Sequence, residues 1–441
     1  MTRLSGWGRT PVAECRQRTA RNQADVARAV AEGPLIARGN GRSYGDPAMS
    51  PGLTLSMRGM DRFLSFDADS GTLVAEAGVL LADIIDTFLP RGWFPLVTPG
   101  TKFVSLGGAI AADVHGKNHH RDGSFRTCVN WIDAMGADGE VRRISRGDNA
   151  QDFEAVCGAM GLSGVILRAE IRLRPVESAW IMQETIPAPT LEAAIDTFEE
   201  RLDALYSVAW IDCTSRPPGL GRSLVMLGRH ATVDELPRDR RRKPFEVPGR
   251  RGLKVPIDFP GFALNRYSVH LFNELYYRMG RRKAGETLVD WDSYFYPLDA
   301  IGDWNRIYGR RGFYQFQCVL PLDGARAGLT RMLDDISRTG LSSFLSVLKR
   351  FGADESRLSF PSEGYTLALD FPANDRSRAL LERLDAIALD HGGRFYLAKD
   401  ARMSAETAIS ADPRLAEFRD LRRDRGWSER FVSLQSERLG L

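Results

Sequence analysis

The sequence predicts an α+β protein of two domains, and three observations lead to this fold class. A chain of 441 residues with 43% hydrophobic content is long enough for two cores and too evenly mixed to be fibrous or disordered. Up to Pro175, helical and strand patterns alternate between glycine-rich turns. Beyond Pro175, long amphipathic segments are interleaved with strands, which indicates a second α+β domain.

The first part of the chain begins with a helical pattern at 24–31, a strand at 35–37 and a glycine-rich loop. Its further predicted elements are a strand at 72–77, a helix at 80–89, a strand at 93–97, a hairpin of 131–135 with 141–144, and a half-buried strand at 164–175. This mixed order favours sheets covered by helices.

The second part is predicted to contain helices at 191–205 and 379–391 and strands at 314–320 and 365–371. Within it, residues 237–261 hold eight Lys or Arg and several prolines without periodicity, which is typical of a mobile surface loop. Such a basic run is either simply solvated or an anchor on an anionic surface. For a lipid-bound ligand, the run and the apolar segment 255–262 could touch a bilayer.

Composition excludes several classes of protein. Sixty basic against 57 acidic residues leave a net charge of +3, so nucleic acid is not expected as a partner. Five scattered cysteines without a CxxC pair predict reduced thiols and neither a disulfide framework nor a zinc site. The N-terminus lacks an apolar signal region and no continuous apolar run approaches membrane-spanning length, so a cytoplasmic protein, peripheral at most, is expected.

Two small-residue loops are the strongest candidates for a binding site. The string RGNGRSYGD (38–46) could turn sharply and present backbone N–H groups to a phosphate, or be a flexible turn; it is not a Rossmann fingerprint. Small residues at 107–112 would suit close approach to a cofactor or close helix packing. The nearby His115, His119 and His120 lack acidic or thiol partners at ligand spacing, so no metal site is predicted.

These loops are similar to the two halves of the FAD site in the p-cresol-methylhydroxylase (PCMH) type of the vanillyl-alcohol-oxidase class. More narrowly, the chain resembles the decaprenylphosphoryl-β-D-ribose 2-oxidases over essentially its whole length, through the strings GWGRT (6–10), ARGNGRSYGD (37–46), GGAIAADVHGKNHH (107–120), WNRIYG (304–309), FGADESRLSFP (351–361) and FYLAKDAR (395–402). The resemblance implies a PCMH-type FAD-binding domain at 1–178 plus 394–441 and a separate antiparallel-sheet substrate domain at 179–393.

The resemblance also implies which residues hold FAD, without a covalent bond. They are Ala37, Arg38, Gly39, Asn40, Gly41, Arg42, Ser43, Tyr44, Gly45, Asp46, Pro47, Gly100, Ser105, Leu106, Gly107, Gly108, Ala112, Asp113, Val114, His115, Val165 and Tyr396.

The expected chemistry is the loss of a hydride and a proton from a secondary alcohol. The resemblance implies catalytic roles for Lys399, which faces the flavin, and Lys117, with His115 as a further proton-relay candidate. On residues alone, Lys399 could equally be a surface lysine paired with Asp400 or Asp370.

The resemblance further implies a sugar pocket, and its residues are Gln315, Gln317, Lys349, Trp210, Phe295, Trp304, Thr366 and Ala368. Period-two spacing puts both glutamines on one strand face, while the aromatic residues could also be plain core. Three positions depart from the mycobacterial pattern. Thr366 replaces an asparagine, Ala368 a cysteine and Phe295 a tyrosine, which leaves the exact substrate open.

The predicted function is therefore the FAD-dependent oxidation of the 2'-hydroxyl of a polyprenylphosphoryl-β-D-ribose to the 2'-keto sugar. A separate NAD(P)H-dependent ketoreductase partner would complete the epimerisation. The alternatives are an alditol or aldonolactone oxidase using oxygen, and a non-enzymatic scaffold anchored through the basic run 238–254.

Overall fold

The structure is a computed structural model that describes residues 1–249, 252–260, 265–343, 345–354 and 356–441. Its strands are β1 Thr2–Ser5, β2 Val12–Thr19, β3 Leu35–Arg38, β4 Leu53–Ser56, β5 Phe63–Asp67, β6 Thr72–Glu76, β7 Trp93–Pro95, β8 Val129–Met135, β9 Val141–Ser145, β10 Val165–Pro175, β11 Trp180–Ala188, β12 Tyr206–Ile211, β13 Ser223–His230, β14 Leu253–Lys254, β15 Gly285–Asp290, β16 Ile301–Gly302, β17 Phe313–Pro321, β18 Ser346–Phe351, β19 Gly364–Pro372 and β20 Arg394–Phe395. Its α-helices are α1 Gln23–Glu32, α2 Leu81–Phe88, α3 Leu106–Ala111, α4 His119–Asp122, α5 Ala150–Val156, α6 Leu191–Glu200, α7 Arg238–Arg241, α8 Arg266–Arg282, α9 Trp291–Phe295, α10 Leu322–Thr339, α11 Asp375–Asp390, α12 Ala405–Ala411, α13 Arg414–Asp424 and α14 Leu434–Leu439.

The first region contains a four-stranded sheet of order β1-β2-β4-β3 and a six-stranded sheet of order β5-β6-β10-β8-β9, to which β7 adds through β10. The hairpin predicted at 131–135 and 141–144 is confirmed, since β8 and β9 pair antiparallel with Ile132 opposite Ile144. A core of side chains from α2, α3 and the larger sheet lies beneath the cavity described below. This core keeps the loops before and after α3 in place.

The second region is built on an eight-stranded sheet of order β15-β11-β13-β12-β18-β19-β17-β20. In β17, alternate residues separate the two faces, because side chains two apart share a side. Phe316 and Cys318 enter the core beneath α6, α10 and α11, whereas Val319 packs with the first region. The predicted α+β class, with a sheet-rich second part, is confirmed. The division at residues 178 and 393 remains a prediction.

Part of the segment 237–261 has more local structure than expected. Residues 238–241 form α7, Phe245 and Val247 pack against a buried aromatic cluster, and β14 pairs with β16. The prediction of an unpacked loop is wrong for these parts. Residues 250, 251, 261 and 262, and residue 355 of the 351–361 string, lie outside the described residues. Within the described ranges, no helix is both long and apolar enough to traverse a bilayer.

All five cysteines are free thiols with buried side chains. Burial removes the thiolate from solvent and so disfavours its charge. It raises the pKa of Cys213 to about 11 and of Cys128 to about 12.

Candidate active site

A cavity of about 1520 Å³, including its opening to solvent, lies between loops of the first region and the eight-stranded sheet. We call its two sides the loop wall (lining residues of 37–48, 99–115 and 396–399) and the sheet wall (lining residues of β17, β18 and β19). The predicted cofactor-binding residues that line it are Ala37, Gly39, Asn40, Gly41, Arg42, Ser43, Tyr44, Pro47, Gly100, Ser105, Gly108, Ala112, Val114, His115 and Tyr396.

The loop wall depends on glycines where two chain segments meet. A Cβ atom on Gly39 would lie 2.1 Å from the Ser105 hydroxyl oxygen, so a side chain cannot be added there without a shift. That hydroxyl caps α3 by accepting a hydrogen bond from the Gly108 N–H at 3.3 Å. Gly41 has a φ of +64°, a left-handed conformation that favours glycine. The first loop is therefore held directly against the start of α3.

The remaining predicted cofactor residues lie outside the lining, and they are Arg38, Gly45, Asp46, Leu106, Gly107, Asp113 and Val165. Several support the loops from behind. Arg38 donates to the Ser5 carbonyl at 2.8 Å, and Asp46 accepts from Arg438 at 2.7 Å. Asp113 accepts from the Ser124 hydroxyl at 2.7 Å, and burial raises the pKa of its carboxyl to about 6. These residues hold the loop wall in shape without facing the cavity.

The sheet wall collects side chains from three neighbouring strands. Gln315 and Gln317 come from β17, Lys349 from β18, and Thr366 and Ala368 from β19. Cross-strand pairing explains why they meet, because Gln317 lies opposite Ala368 and Lys349 opposite Thr366. Residues distant in sequence thereby form one polar surface.

One hydrogen-bond network crosses the cavity between the walls. The Gln317 amide nitrogen lies 2.9 Å from His115 Nε2 and donates to the Thr366 hydroxyl at 3.1 Å. That hydroxyl donates in turn to the Cys318 carbonyl at 2.8 Å. Since an amide N–H₂ can only donate, His115 Nε2 accepts and its proton resides on Nδ1. Burial, helped by the charge of Lys349, lowers the pKa of His115 well below its usual range, so the ring is neutral.

Lys399 and Lys349 bring two ammonium groups to the cavity. Lys399 Nζ lies 4.0 Å from the centre of the Tyr44 ring. Among the described residues, neither ammonium has a carboxylate within 4.0 Å, so the surface ion pair considered for Lys399 is not formed. Burial lowers the pKa of both lysines, for Lys349 to about 8, and it raises the pKa of the neighbouring Asp370. The cavity therefore holds basic groups that can lose a proton near neutral pH.

Lys117 does not line the cavity. Its ammonium donates to the Tyr294 carbonyl and lies 4.1 Å from the centre of the Tyr294 ring. Phe295 packs in the buried cluster of Phe94 and Tyr206, and Trp210 contacts Tyr276 of α8. Of the three predicted pocket aromatics, Trp304 alone is a lining residue in the described part of the chain.

Sequence reasoning missed part of the lining. These residues are Trp7, Ala48, Pro99, Thr101, Val104, Ala111, Met160, Leu298, Asp299, Leu345, Val347 and Ala398. Trp7 lies in the string GWGRT, and its ring stacks on the Arg42 guanidinium at 4.1 Å. That string could have suggested Trp7, whereas nothing in the local pattern distinguishes Leu345 or Asp299.

Three buried polar atoms in the cavity show that it suits a polar ligand. Within the described residues, Arg42 Nε, His115 Nδ1 and Gln315 Oε1 have no hydrogen-bond partner. Buried polar atoms are nearly always paired in folded proteins, so a bound molecule is expected to satisfy them. At Gly100, by contrast, a Cβ would meet nothing within 4 Å, which leaves open space beside the loop wall.

Comparison with known proteins identifies the family. A family model described as FAD binding domain matches residues 17–145. The decaprenylphosphoryl-β-D-ribose oxidase of Mycolicibacterium smegmatis is 36% identical over 450 residues, covering 100% of this chain and 97% of that protein. This chain belongs to the decaprenylphosphoryl-β-D-ribose oxidase family. A Streptomyces coelicolor protein from the mprA 5' region is 32% identical over 82% of the chain and 100% of its own length.

More distant flavoprotein relatives share only part of the chain. The L-gulonolactone oxidase of Bos taurus is 28% identical over 41% of this chain and 43% of its own. As a member of the decaprenylphosphoryl-β-D-ribose oxidase family, the chain is an FAD-dependent oxidoreductase acting on a CH–OH group. The glycine-lined loop wall and its unpartnered polar atoms fit FAD. No cluster of three or more His, Cys, Asp or Glu able to hold a metal occurs among the described residues.

Proposed function

We propose that this chain oxidises the 2'-hydroxyl of a polyprenylphosphoryl-β-D-ribose to the 2'-keto sugar, using FAD held without a covalent bond. The observation that supports this most is the pairing of the two walls. The loop wall suits the cofactor, and the facing sheet wall presents two amides and an ammonium group, which suit sugar hydroxyls and a phosphate.

Four side chains that line the cavity have distinct tasks in this proposal. Gln315 and Gln317 orient the sugar through its hydroxyls, and Lys349 neutralises the phosphate. His115 donates from Nδ1, because its Nε2 already accepts from Gln317. It therefore positions the ligand and does not remove the proton.

The proton of the reacting hydroxyl passes to Lys399. Its ammonium has a pKa lowered by burial, so the neutral amine is accessible near physiological pH. FAD, when bound, supplies the acceptor for the hydride that leaves the same carbon. Lys399 Nζ would take the O–H proton, and once the hydride had also left the same carbon, the carbonyl of the 2'-keto product would remain. Lys399 then returns its proton to solvent.

The proposal includes two partners. A 2'-keto sugar needs a hydride donor to become the arabinose epimer, so a separate NAD(P)H-dependent ketoreductase would consume the product. A polyprenyl chain is held in a bilayer, so the enzyme must make peripheral contact with a membrane surface. The cytoplasmic location remains a prediction.

The experiment is anaerobic visible spectroscopy of the purified protein with farnesylphosphoryl-β-D-ribose, followed by acid precipitation. Bleaching of the bound yellow chromophore and release of free FAD would support both the oxidation and the non-covalent attachment. If the bound flavin is not reduced by this analogue but is reduced by an aldonolactone, with peroxide formed in air, the protein is the alternative oxidase and the proposal is wrong. Protein that takes up no FAD would refute both.

A further inference from the structure

Helix α8 carries a row of apolar side chains on its outward face. Tyr267, Leu271, Leu275 and Met279 have exposed fractions of 76%, 60%, 52% and 55%. Residues four apart lie on the same side of an α-helix, so these side chains form one stripe. We call this stripe the outer row. Four exposed apolar side chains in one stripe form a candidate binding surface.

The opposite face of α8 is fully engaged with the protein. Val269, Asn273 and Tyr277 are buried there. The Asn273 amide donates to Asp212 at 2.7 Å, and the Tyr277 hydroxyl donates to the Ala188 carbonyl at 3.4 Å. The helix is thus held by its inner face, and the outer row is not core that failed to pack.

The carboxyl end of α8 is strongly basic. Arg281 and Arg282 lie in its last turn, and Lys283 follows directly. No carboxylate of the described residues lies within 4.0 Å of these three side chains. Unpaired cations beside an apolar stripe complement an anionic phospholipid surface, where charged headgroups border the acyl chains.

One chain of contacts links α8 to the sheet wall of the cavity. Tyr276 of α8 packs against Trp210, with their ring planes tilted at 54° and 4.9 Å between ring centres, and Trp210 lies opposite Val347 of the sheet wall. A second segment, residues 253–259, approaches the cavity from another side. There the Phe259 N–H donates to the Arg306 carbonyl at 3.0 Å, close in sequence to the lining residue Trp304. This second segment also exposes apolar side chains, because Leu253 and Ile257 are 69% and 64% exposed.

The basic residues 240–243 are less available than the sequence suggested. Arg240 lies 3.8 Å from the centre of the Trp180 ring, Arg241 donates to the Leu236 carbonyl at 2.7 Å, and Lys243 pairs with Glu246 at 2.8 Å. These contacts restrain Arg240 and Arg241 and offset the charge of Lys243, so three of the four basic residues are less free to contact a lipid surface.

We propose that the outer row and the basic end of α8 dock on the surface of an anionic lipid bilayer. The apolar side chains insert among the upper acyl chains while Arg281, Arg282 and Lys283 contact headgroup phosphates. This inference deepens the proposed function and rests on it for its purpose, since docking there would bring the cavity to a membrane-held polyprenyl substrate.

The test is co-sedimentation of the FAD-loaded protein with vesicles of phosphatidylcholine, with or without phosphatidylglycerol. The test variant is Leu271→Ser/Leu275→Ser. Its matched control is Leu64→Ser/Leu202→Ser, at leucines that are 42% and 38% exposed elsewhere. Wild type and control should bind the anionic vesicles, and the test variant should lose about tenfold or more in affinity. Neutralising residues 240–243 with glutamine should leave binding almost unchanged.

Four results would overturn the inference, and three of them concern vesicle binding. In the first, wild-type protein does not bind anionic vesicles. In the second, the test variant binds them as well as the control does. In the third, neutralising residues 240–243 alone abolishes binding. If wild type self-associates without lipid and the test variant does not, a second copy occupies the outer row and the bilayer proposal is wrong. Turnover of farnesylphosphoryl-β-D-ribose without vesicles tests the proposed function separately from docking. It should be equal in wild type and all variants, because no membrane is present. Absence of turnover in wild type would therefore contradict the proposed function and not the docking surface.

Discussion

The two walls of the cavity are built in different ways. The loop wall uses backbone, with glycines where side chains would collide, whereas the sheet wall uses side chains projected from three paired strands. A site formed by closely packed backbone tolerates few amino-acid substitutions, whereas residues on a strand face can be substituted while the strands stay paired. We infer that the loop wall determines whether FAD binds and the sheet wall determines which sugar reacts.

The strongest test of this comparison is Lys399→Met, at the loop-wall side chain that we propose accepts the proton. We expect flavin reduction by the analogue to slow by about 10²- to 10⁴-fold, the range for loss of a general base, with FAD still bound. Stopped-flow absorbance measures the rate, and Lys254→Met, at a side chain 69% exposed, is the control. Undiminished reduction would exclude Lys399 as the proton acceptor.

In the loop wall, Gly39→Ala should weaken FAD binding by about 10²-fold, because the added Cβ meets the Ser105 hydroxyl and a shift there costs about 2–3 kcal/mol. Flavin content after gel filtration and FAD titration of the apoprotein measure this. Gly252→Ala is the control, since a Cβ there meets nothing within 4 Å. Full FAD retention in Gly39→Ala would show that the loop wall is more adaptable than its geometry indicates.

In the sheet wall, Gln317→Leu should leave flavin content unchanged and lower kcat/KM by about tenfold. The substitution removes a sugar contact and the donor that keeps the His115 proton on Nδ1, and one such interaction is worth about 1–2 kcal/mol. Steady-state kinetics with the analogue decide the outcome. Lost FAD together with lost activity would mean that the two walls do not act separately.

The pH dependence of flavin reduction should reveal contact between the walls. Because Lys399 accepts a proton as the neutral amine, the rate should rise as pH increases through a pKa below that of an ordinary lysine. Lys349 carries a like charge that further lowers this pKa, so Lys349→Gln should move the rising limb to higher pH. A limb that stays in place would show that another group titrates.

The smallest effect is expected from Lys117→Met. Lys117 lies outside the cavity lining, and exchanging a buried cation for an apolar side chain of similar volume is often nearly neutral. We expect kcat to change by less than about threefold, with FAD retained in the visible spectrum. A drop comparable to that of Lys399→Met would restore the catalytic role implied by the family resemblance.

The loop wall leaves a local trace in the sequence and the sheet wall does not, for a physical reason. Glycines and small residues at 39–45 and 107–112 lie in two short strings, so a local pattern reveals them. Gln317, Lys349 and Thr366 meet only through strand pairing, which leaves no local trace beyond alternation. The family resemblance supplied these residues, and it also supplied Lys117, Trp210 and Phe295, which the structure places outside the lining.

The sequence drew attention to the basic run and not to α8, the surface that we propose for membrane docking, for a related reason. The basic run at 240–243 was conspicuous in composition, but three of its four cations have partners in the protein, and the contact of Arg240 with Trp180 is visible only in the tertiary structure. The outer row of α8 has ordinary amphipathic spacing, which in a sequence indicates burial. Where a helix has two apolar faces, only the tertiary structure shows which face is buried in the protein and which is exposed.

The burial of all five cysteines makes the native chain a convenient background for chemical labelling. The thiolate is the nucleophile that attacks thiol reagents, whereas thiols inside the core are shielded from these reagents and, where burial raises their pKa, protonated. A single cysteine introduced at Leu275 would then be the main reactive thiol in the folded enzyme. A fluorophore placed there could report the local polarity around α8 in real time while turnover is followed in the same cuvette.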